Sequence, residues 1–191
     1  MGKIKALDKR VYEKIAAGEV IDRPAAVVRE LLDNAFDAHA EKIKIQFENG
    51  GLDEITIADD GDGIYFEDLD KAPIKHCTSK IAQFEDIFSI YTMGFRGEAL
   101  SSIASVSRMR ITSFNGLETH GGELVVEGGE NFPIKPFVRK KGTTVEVKDL
   151  FYNIPARQKF VKSAMGESRA IKDVIITKTL PYQNTAVEVI N

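Results

Sequence analysis

Four groups of residues have types and spacings that could carry chemistry. The first is Glu30, Asn34 and Asp37, at i, i+4 and i+7, which fall on one stripe of a helix. A carboxylate there can take a proton from an attacking water, and a carboxamide oxygen one turn away suits Mg²⁺. A solvated helix face carries the same spacing. The second is Asp59-Asp60-Gly61-Asp62-Gly63, directly after an alternating apolar run at Ile55 and Ile57. Its alternate glycines allow sharp turns and close ligand approach, and a carboxylate at a strand end can accept a hydrogen bond from an exocyclic amine. An acidic turn has the same composition; an EF-hand loop is excluded, because no Glu stands at the twelfth position.

The third group is Gly94-Phe95-Arg96-Gly97-Glu98-Ala99-Leu100, glycines ahead of an apolar helix, with Thr78, Ser79 and Lys80 adding hydroxyls and an ammonium. Neither a G-x-x-x-x-G-K-[ST] loop nor G-x-G-x-x-G occurs. The fourth is Gly142-Thr143-Thr144 at the start of a strand pattern, with hydroxyls able to reach a base or a bridging water.

The elements that must carry these groups follow from periodicity. Pro24 suits a first helical turn, and Val27, Val28, Leu31, Leu32, Ala35 and Phe36 recur at helical spacing, predicting a helix over 24–40. Ile43, Ile45 and Phe47, then Ile55 and Ile57, alternate with polar residues around Asn49-Gly50-Gly51, predicting a β-hairpin. Helical pieces are expected within 66–105. Strands are expected at 109–114, 123–127 and 143–147, a helix at 167–179 and a strand from Ala186. Antiparallel groups with helices between them predict an α+β layered sandwich rather than a doubly wound parallel sheet.

The chain has 191 residues, 43% hydrophobic and 29% charged, a composition that excludes disorder and low complexity and predicts one domain. One cysteine, Cys77, excludes an intrachain disulfide. No apolar run reaches transmembrane length, and no secretory leader pattern opens the chain, so the expected partners exclude membrane and the expected location is not extracellular. The net charge of −3 averages an acidic window at 41–70, with ten acids and two bases, and a basic window at 135–162, with eight bases and two acids. The basic stretch, with Arg157, Lys159 and Lys162, is a candidate contact for an anionic partner. His76, His120 and Cys77 lack metal-site spacing and read as structural, and His39 reads as a surface histidine.

The order Glu30-x-x-x-Asn34, Asp59-x-Gly61-x-Gly63, Gly-rich segment, Gly142-Thr143-Thr144 resembles the ATPase superfamily of gyrase, the ninety-kilodalton heat-shock chaperone, histidine kinases and MutL. The strings IAAGEVIDRP (15–24), ELLDNAFDA (30–38), HCTSKI (76–81), GFRGEALSSIASVS (94–107) and DLFYNIPARQKF (149–160) resemble the MutL family of DNA mismatch repair proteins over essentially the whole chain. The resemblance implies a Bergerat-type ATP-binding fold, a two-layer α/β sandwich with a mixed, mostly antiparallel sheet. It implies ATP and Mg²⁺ as cofactors and slow ATP hydrolysis, weak or absent in the isolated fragment. Glu30 becomes the general base, Asn34 the Mg²⁺ ligand and Asp59 the adenine reader, with Thr143 assisting through water. Asp37, Ala38, Gly61 and Gly63 shape the pocket. Thr78, Ser79, Lys80, Gly94, Phe95, Arg96, Gly97, Glu98, Ala99 and Leu100 form the phosphate-side lid. Expected partners are a second copy or related subunit joined by ATP-dependent association, the mismatch-recognition protein MutS, and DNA through Arg157, Lys159 and Lys162. The implied location is cytoplasmic in a bacterium or nuclear in a eukaryote. The resemblance also implies that 1–191 is one N-terminal ATPase domain, a fragment lacking a second, transducer-type domain and a C-terminal dimerisation domain. The alternatives are a topoisomerase- or chaperone-type ATPase, or a fragment that binds nucleotide without turnover. Three departures stand out: Asp60 where Asn is usual, Asp62 as the middle residue, and His39 where Gly often ends the helix. The two extra carboxylates are expected to put negative charge beside the nucleotide.

Overall fold

The computed structural model describes residues 5, 17–18, 20–79, 97–161 and 163–191. In chain order the elements are α1 (Pro24–Asp37), β1 (Lys42–Glu48), β2 (Glu54–Asp59), α2 (Ala99–Ser105), β3 (Arg108–Phe114), β4 (Gly121–Glu127), β5 (Glu130–Asn131), β6 (Lys135–Phe137), β7 (Gly142–Lys148), α3 (Pro155–Gln158), α4 (Ala164–Thr179) and β8 (Ala186–Ile190). One sheet runs in the order β5-β4-β3-β7-β2-β1-β8, with β6 also on β4. Every pairing is antiparallel except β1 with β8, so the sheet is mixed and mostly antiparallel, as the sequence predicts.

Alternation decides which face is covered. Ile43, Ile45 and Phe47 of β1 pair with Asp59, Ile57 and Ile55 of β2, and all five apolar side chains are buried. Met109 and Ile111, Leu124 and Val126, and Val145 and Val147 continue that inner face across β3, β4 and β7. The apolar stripe of α1, from Val27 to Phe36, packs into the same core, joined by Ile103 of α2 and Ile171 and Ile175 of α4. The opposite face is polar. There Arg110 bridges Glu123 of β4 and Glu146 of β7, with nitrogen–oxygen distances of 2.6 and 2.5 Å, and Lys148 lies 3.3 Å from Glu54.

Two charge pairs clamp α1 to α4. Arg23, at the start of α1, makes two bonds to the buried Glu167 at 3.0 and 3.1 Å. Lys178 bonds the buried Asp33 at 2.8 Å. Phe36 stacks on Tyr182 with ring centroids 3.7 Å apart.

The hairpin forms where the sequence places it, and its turn is a five-residue connection holding a 3₁₀ turn, Asn49–Gly51. The differences from the sequence reading have local causes. The last helix starts at Ala164 rather than residue 167, because Ser163 caps it by accepting a bond from Gly166 N–H at 3.1 Å. Strands β5 and β6 and the short helix α3 were not expected; β5 and β6 are two and three residues long and mostly exposed, so no burial pattern marks them. Residues 66–79 hold one 3₁₀ turn and further turns, with no α-helix. The part of the expected helical stretch at 80–96 lies outside the described residues.

Candidate functional site

The loop 59–63 gathers the site. Asp59 ends β2, and its Oδ1 accepts from Gly61 N–H at 3.0 Å and Thr143 N–H at 3.1 Å. Oδ2 takes no bond among the described residues, so one carboxylate oxygen remains for a donor. Burial pushes the Asp59 carboxyl above the ordinary aspartate range; the two N–H bonds and the positive charge of Arg139 oppose that rise. Burial in turn lowers Arg139, and the attraction of Asp59 opposes this. Arg139 is anchored through the backbone oxygen and the hydroxyl of Thr112.

The hydroxyls behind Asp59 form a short chain. Ser113 Oγ lies 2.8 Å from Thr143 Oγ1 and accepts from Ile64 N–H at 2.8 Å. Register explains the meeting: Ser113 pairs with Thr143 across β3 and β7, and Ala58 pairs with Thr144 across β2 and β7. Two glycines are required by close approach. A Cβ on Gly61 would lie 2.5 Å from the Ala38 carbonyl oxygen, and one on Gly63, at φ +73°, would lie 2.2 Å from the Phe114 oxygen.

The second and third acids of the loop, whose extra negative charge was the departure noted in the sequence, have partners of their own. Asp60 Oδ1 accepts from Glu41 and Lys42 N–H at 2.9 and 2.8 Å, tying the loop to the start of β1. Asp62 bonds His39 Nδ1 at 2.7 Å and Lys141 Nζ at 3.1 Å, and these partners hold its carboxyl below the ordinary range. His39 is correspondingly more than a surface side chain. It sits at φ +58° just past the end of α1. His39 N–H bonds Phe36 O and Ala40 N–H bonds Ala35 O, a Schellman ending that favours glycine at this position.

Helix α1 delivers the other residues. Glu30, Asn34, Asp37 and Ala38 are half-buried along it, and Asp62 N–H bonds the Ala38 carbonyl at 2.8 Å, so the helix ends on the Asp59 loop. Glu30 Oε1 accepts two bonds from Arg29 at 3.1 and 3.2 Å. On the other side, Thr78 and Ser79 follow His76, whose N–H bonds Gly97 O at 3.1 Å. Gly97 has φ +61° and abuts the Cys77 carbonyl, so His76–Cys77 and Gly97–Glu98 are pinned together ahead of Ala99 and Leu100 of α2. Lys80, Gly94, Phe95 and Arg96 lie outside the described residues.

The basic window is not one patch. Arg139, Lys140 and Lys141 precede β7 and Lys148 ends it, about 20 Å away at strand rise. Arg157 packs against the backbone of Gly18, Lys159 is exposed, and Lys162 lies outside the described residues. Sequence reasoning missed Ser113, Arg139 and Lys141. Only register and tertiary pairing bring them to Asp59 and Asp62, so no local signal marks them.

Among the described residues no cluster of three His, Cys, Asp or Glu side chains could hold a metal ion, and no helix is long and apolar enough to cross a membrane.

Residues 22–124 match the family model described as histidine kinase-, DNA gyrase B-, and HSP90-like ATPase. The chain is 48% identical over all 191 residues to the DNA mismatch repair protein MutL of Clostridium tetani, covering 31% of that protein. It is 49% identical over 180 residues to MutL of Clostridium beijerinckii, covering 94% of this chain and 27% of the relative. Among solved structures, the Aquifex aeolicus MutL ATPase domain complexed with ADP superposes with a TM-score of 0.71 at 30% identity, over 90% of this chain and 60% of that one. The N-terminal domain of a DNA repair protein superposes with a TM-score of 0.78 at 31% identity, over 93% and 51%. The chain thus spans under a third of the length of the curated relatives it matches. It belongs to the histidine kinase-, DNA gyrase B- and HSP90-like ATPase family, and within that family it is similar in sequence and fold to the ATPase domain of MutL mismatch repair proteins.

Proposed function

We propose that this chain is the ATP-binding and slowly ATP-hydrolysing module of a mismatch repair protein. The observation that carries this reading is Asp59: a recessed carboxylate at a strand end, one oxygen fixed by Gly61 and Thr143 N–H, the other left for the exocyclic amine of adenine. The Ser113–Thr143 hydroxyl pair behind it suits a bridging water. An ADP complex of a similar domain supports the same ligand class.

In this reading Glu30 takes the proton of the water that attacks the γ-phosphorus. Its Oε1 is held by Arg29 and its Oε2 takes no bond among the described residues. Asn34, one turn on, would offer a neutral oxygen to Mg²⁺, an ion that takes oxygen ligands and keeps several waters beside substrate phosphates. When bound, Mg²⁺ neutralises phosphate charge. Asp37, Ala38, Gly61 and Gly63 wall the pocket. Thr78, Ser79, Lys80 and the segment from Gly94 to Leu100 close on the phosphates, and that ordering drives association with a second copy. MutS and DNA are the partners this role implies, the DNA through Arg157, Lys159 and Lys162. The bacterial relatives support a cytoplasmic location.

Calorimetric titration with a non-hydrolysable ATP analogue and Mg²⁺, with mass monitored for dimerisation, tests the binding step. Glu30→Ala should still bind while hydrolysis falls at least ~100-fold. Unaltered hydrolysis defeats the general-base role.

A further inference from the structure

We propose that His39, Asp62 and Lys141 form a clasp that positions the base-reading loop of the nucleotide pocket, so that adenine affinity depends on side chains that never touch the ligand. This rests on the reading of Asp59 as the adenine acceptor.

The clasp joins three separate elements. His39 stands at the exit of α1, Asp62 in the loop after β2, and Lys141 immediately before β7, and the two bonds that link them meet on one carboxylate, at 2.7 and 3.1 Å. The Lys141 stem lies over a fourth element, the turn at Gly116, where a Cβ would meet its carbons at 3.5 Å.

Each link lies close to a contact that Asp59 needs. Lys141 is two residues from Thr143, whose N–H bonds Asp59, and one from Gly142, whose would-be Cβ lies 2.0 Å from the Asp59 carbonyl oxygen. His39 follows Ala38, whose carbonyl receives Asp62 N–H and abuts Gly61, the other donor to Asp59. Asp62 therefore draws the α1 exit and the start of β7 together across the loop that carries Asp59. Without it, the loop retains its backbone bonds but loses the side-chain tie between its two walls.

His39 shows that the tie has a cost. A non-glycine residue at φ +58° carries strain that glycine would not. Its side chain is mostly solvent-exposed, so packing does not account for it, and its bond to Asp62 is the interaction that the imidazole adds. Stability and positioning thus make opposite demands at this residue, and that separates a positioning role from a structural one.

The experiment measures affinity for non-hydrolysable ATP and GTP analogues, each with Mg²⁺, alongside thermal unfolding of the ligand-free protein. Exposed ion pairs contribute modestly, so Asp62→Ala and Lys141→Ala should each weaken the ATP analogue about three- to fivefold. The GTP analogue should change less than about twofold, and Lys141→Arg should restore most of the ATP affinity. His39→Gly should hold or raise the melting temperature while weakening ATP binding. ATP affinity within about 1.5-fold of the parent in Asp62→Ala and Lys141→Ala overturns the clasp, as does equal weakening of both analogues. Asp59→Asn is the control. If that variant binds the ATP analogue unchanged, the adenine reading itself fails. If it loses binding while Asp62→Ala does not, only the clasp fails.

Discussion

Replacing Lys178 with Met isolates the tie between the two long helices. Asp33 is 8% exposed on α1, and Lys178 of α4 hydrogen-bonds its Oδ2 at 2.8 Å while standing 2.8 Å from Oδ1. The methionine keeps most of the apolar stem and removes the ammonium, so the change strands a buried carboxylate. Breaking a fully buried pair from one side costs about 3–5 kcal/mol. The Lys178 side chain retains 23% exposure, so water reaches the gap and the lower figure of about 2–3 kcal/mol applies. For a domain of this size each kcal/mol shifts the melting temperature by about 2–4 °C, which gives a fall of about 4–12 °C by calorimetry at neutral pH. Adding Asp33→Leu removes the stranded charge, and the double variant should recover most of the loss. A loss under about 1 kcal/mol in Lys178→Met, or a double variant no more stable than the single, refutes the argument that Asp33 depends on this ammonium.

Asp59→Asn should stabilise the ligand-free protein. Burial raises the Asp59 pKa, so ionisation is disfavoured in the fold; the contribution is most favourable below the unfolded pKa and is lost as pH rises through the folded one. The carboxamide oxygen still accepts from Gly61 and Thr143, so the melting temperature should rise by about 1–4 °C while ATP affinity falls; a lower melting temperature refutes the cost assigned to the charge. Asp62 has the opposite sign: its pairing is present above the unfolded pKa and is lost as pH falls below about 4, so the stability difference between the parent and Asp62→Asn should shrink in that window. Gly63→Ala should be severely destabilising, because the added Cβ meets the Phe114 carbonyl at 2.2 Å in a left-handed backbone, and a melting temperature within about 2 °C of the parent would contradict that clash. Charge reversal at Lys159 should reduce DNA affinity and flatten its salt dependence, and unchanged binding removes this lysine from the DNA surface.

The sequence made the central elements legible because their burial is periodic. The stripe from Val27 to Phe36 has one apolar arc and one polar wedge, and Ile43, Ile45, Phe47, Ile55 and Ile57 alternate without interruption. Each pattern has a single low-cost solution, a helix or a half-buried hairpin. The short strands β5 and β6 have no such pattern, and Pro136 within β6 argues against a strand from local chemistry alone. The candidate site residues were read from short local motifs and from their order along the chain, and the link between Asp59 and Thr143, 84 positions apart, came from the family resemblance. Glu30 and Asn34 are one helical turn apart, and Asp59, Gly61 and Gly63 share one loop. Asp33 with Lys178, His39 with Asp62, and Ser113 with Thr143 are separated by 145, 23 and 30 positions. Their meeting depends on the sheet order and on the packing of α4 over α1, which no window of sequence contains.

The three aspartates of the loop show why residue type alone underdetermines a site. Asp59, Asp60 and Asp62 are chemically identical and lie within four positions. The strand pairing fixes Asp59 against Thr143 N–H, so its charge is recessed and one oxygen is left for a ligand. Asp60, on the other side of the backbone, meets the free N–H groups of Glu41 and Lys42 where β1 begins, and serves as a cap. Asp62 points to solvent, where a charge costs little, and is shared between a histidine and a lysine from two walls of the pocket. Burial raises the pKa of the first, while the partners of the third lower its own. A run that reads as one patch of negative charge is therefore divided by the fold into a recessed carboxylate, the binding group of the proposed function, a backbone cap and a tie. Asp62 has both oxygens paired and Asp60 is turned to the backbone of β1, so an added acid in this loop need not repel a nucleotide when the backbone aims its charge elsewhere.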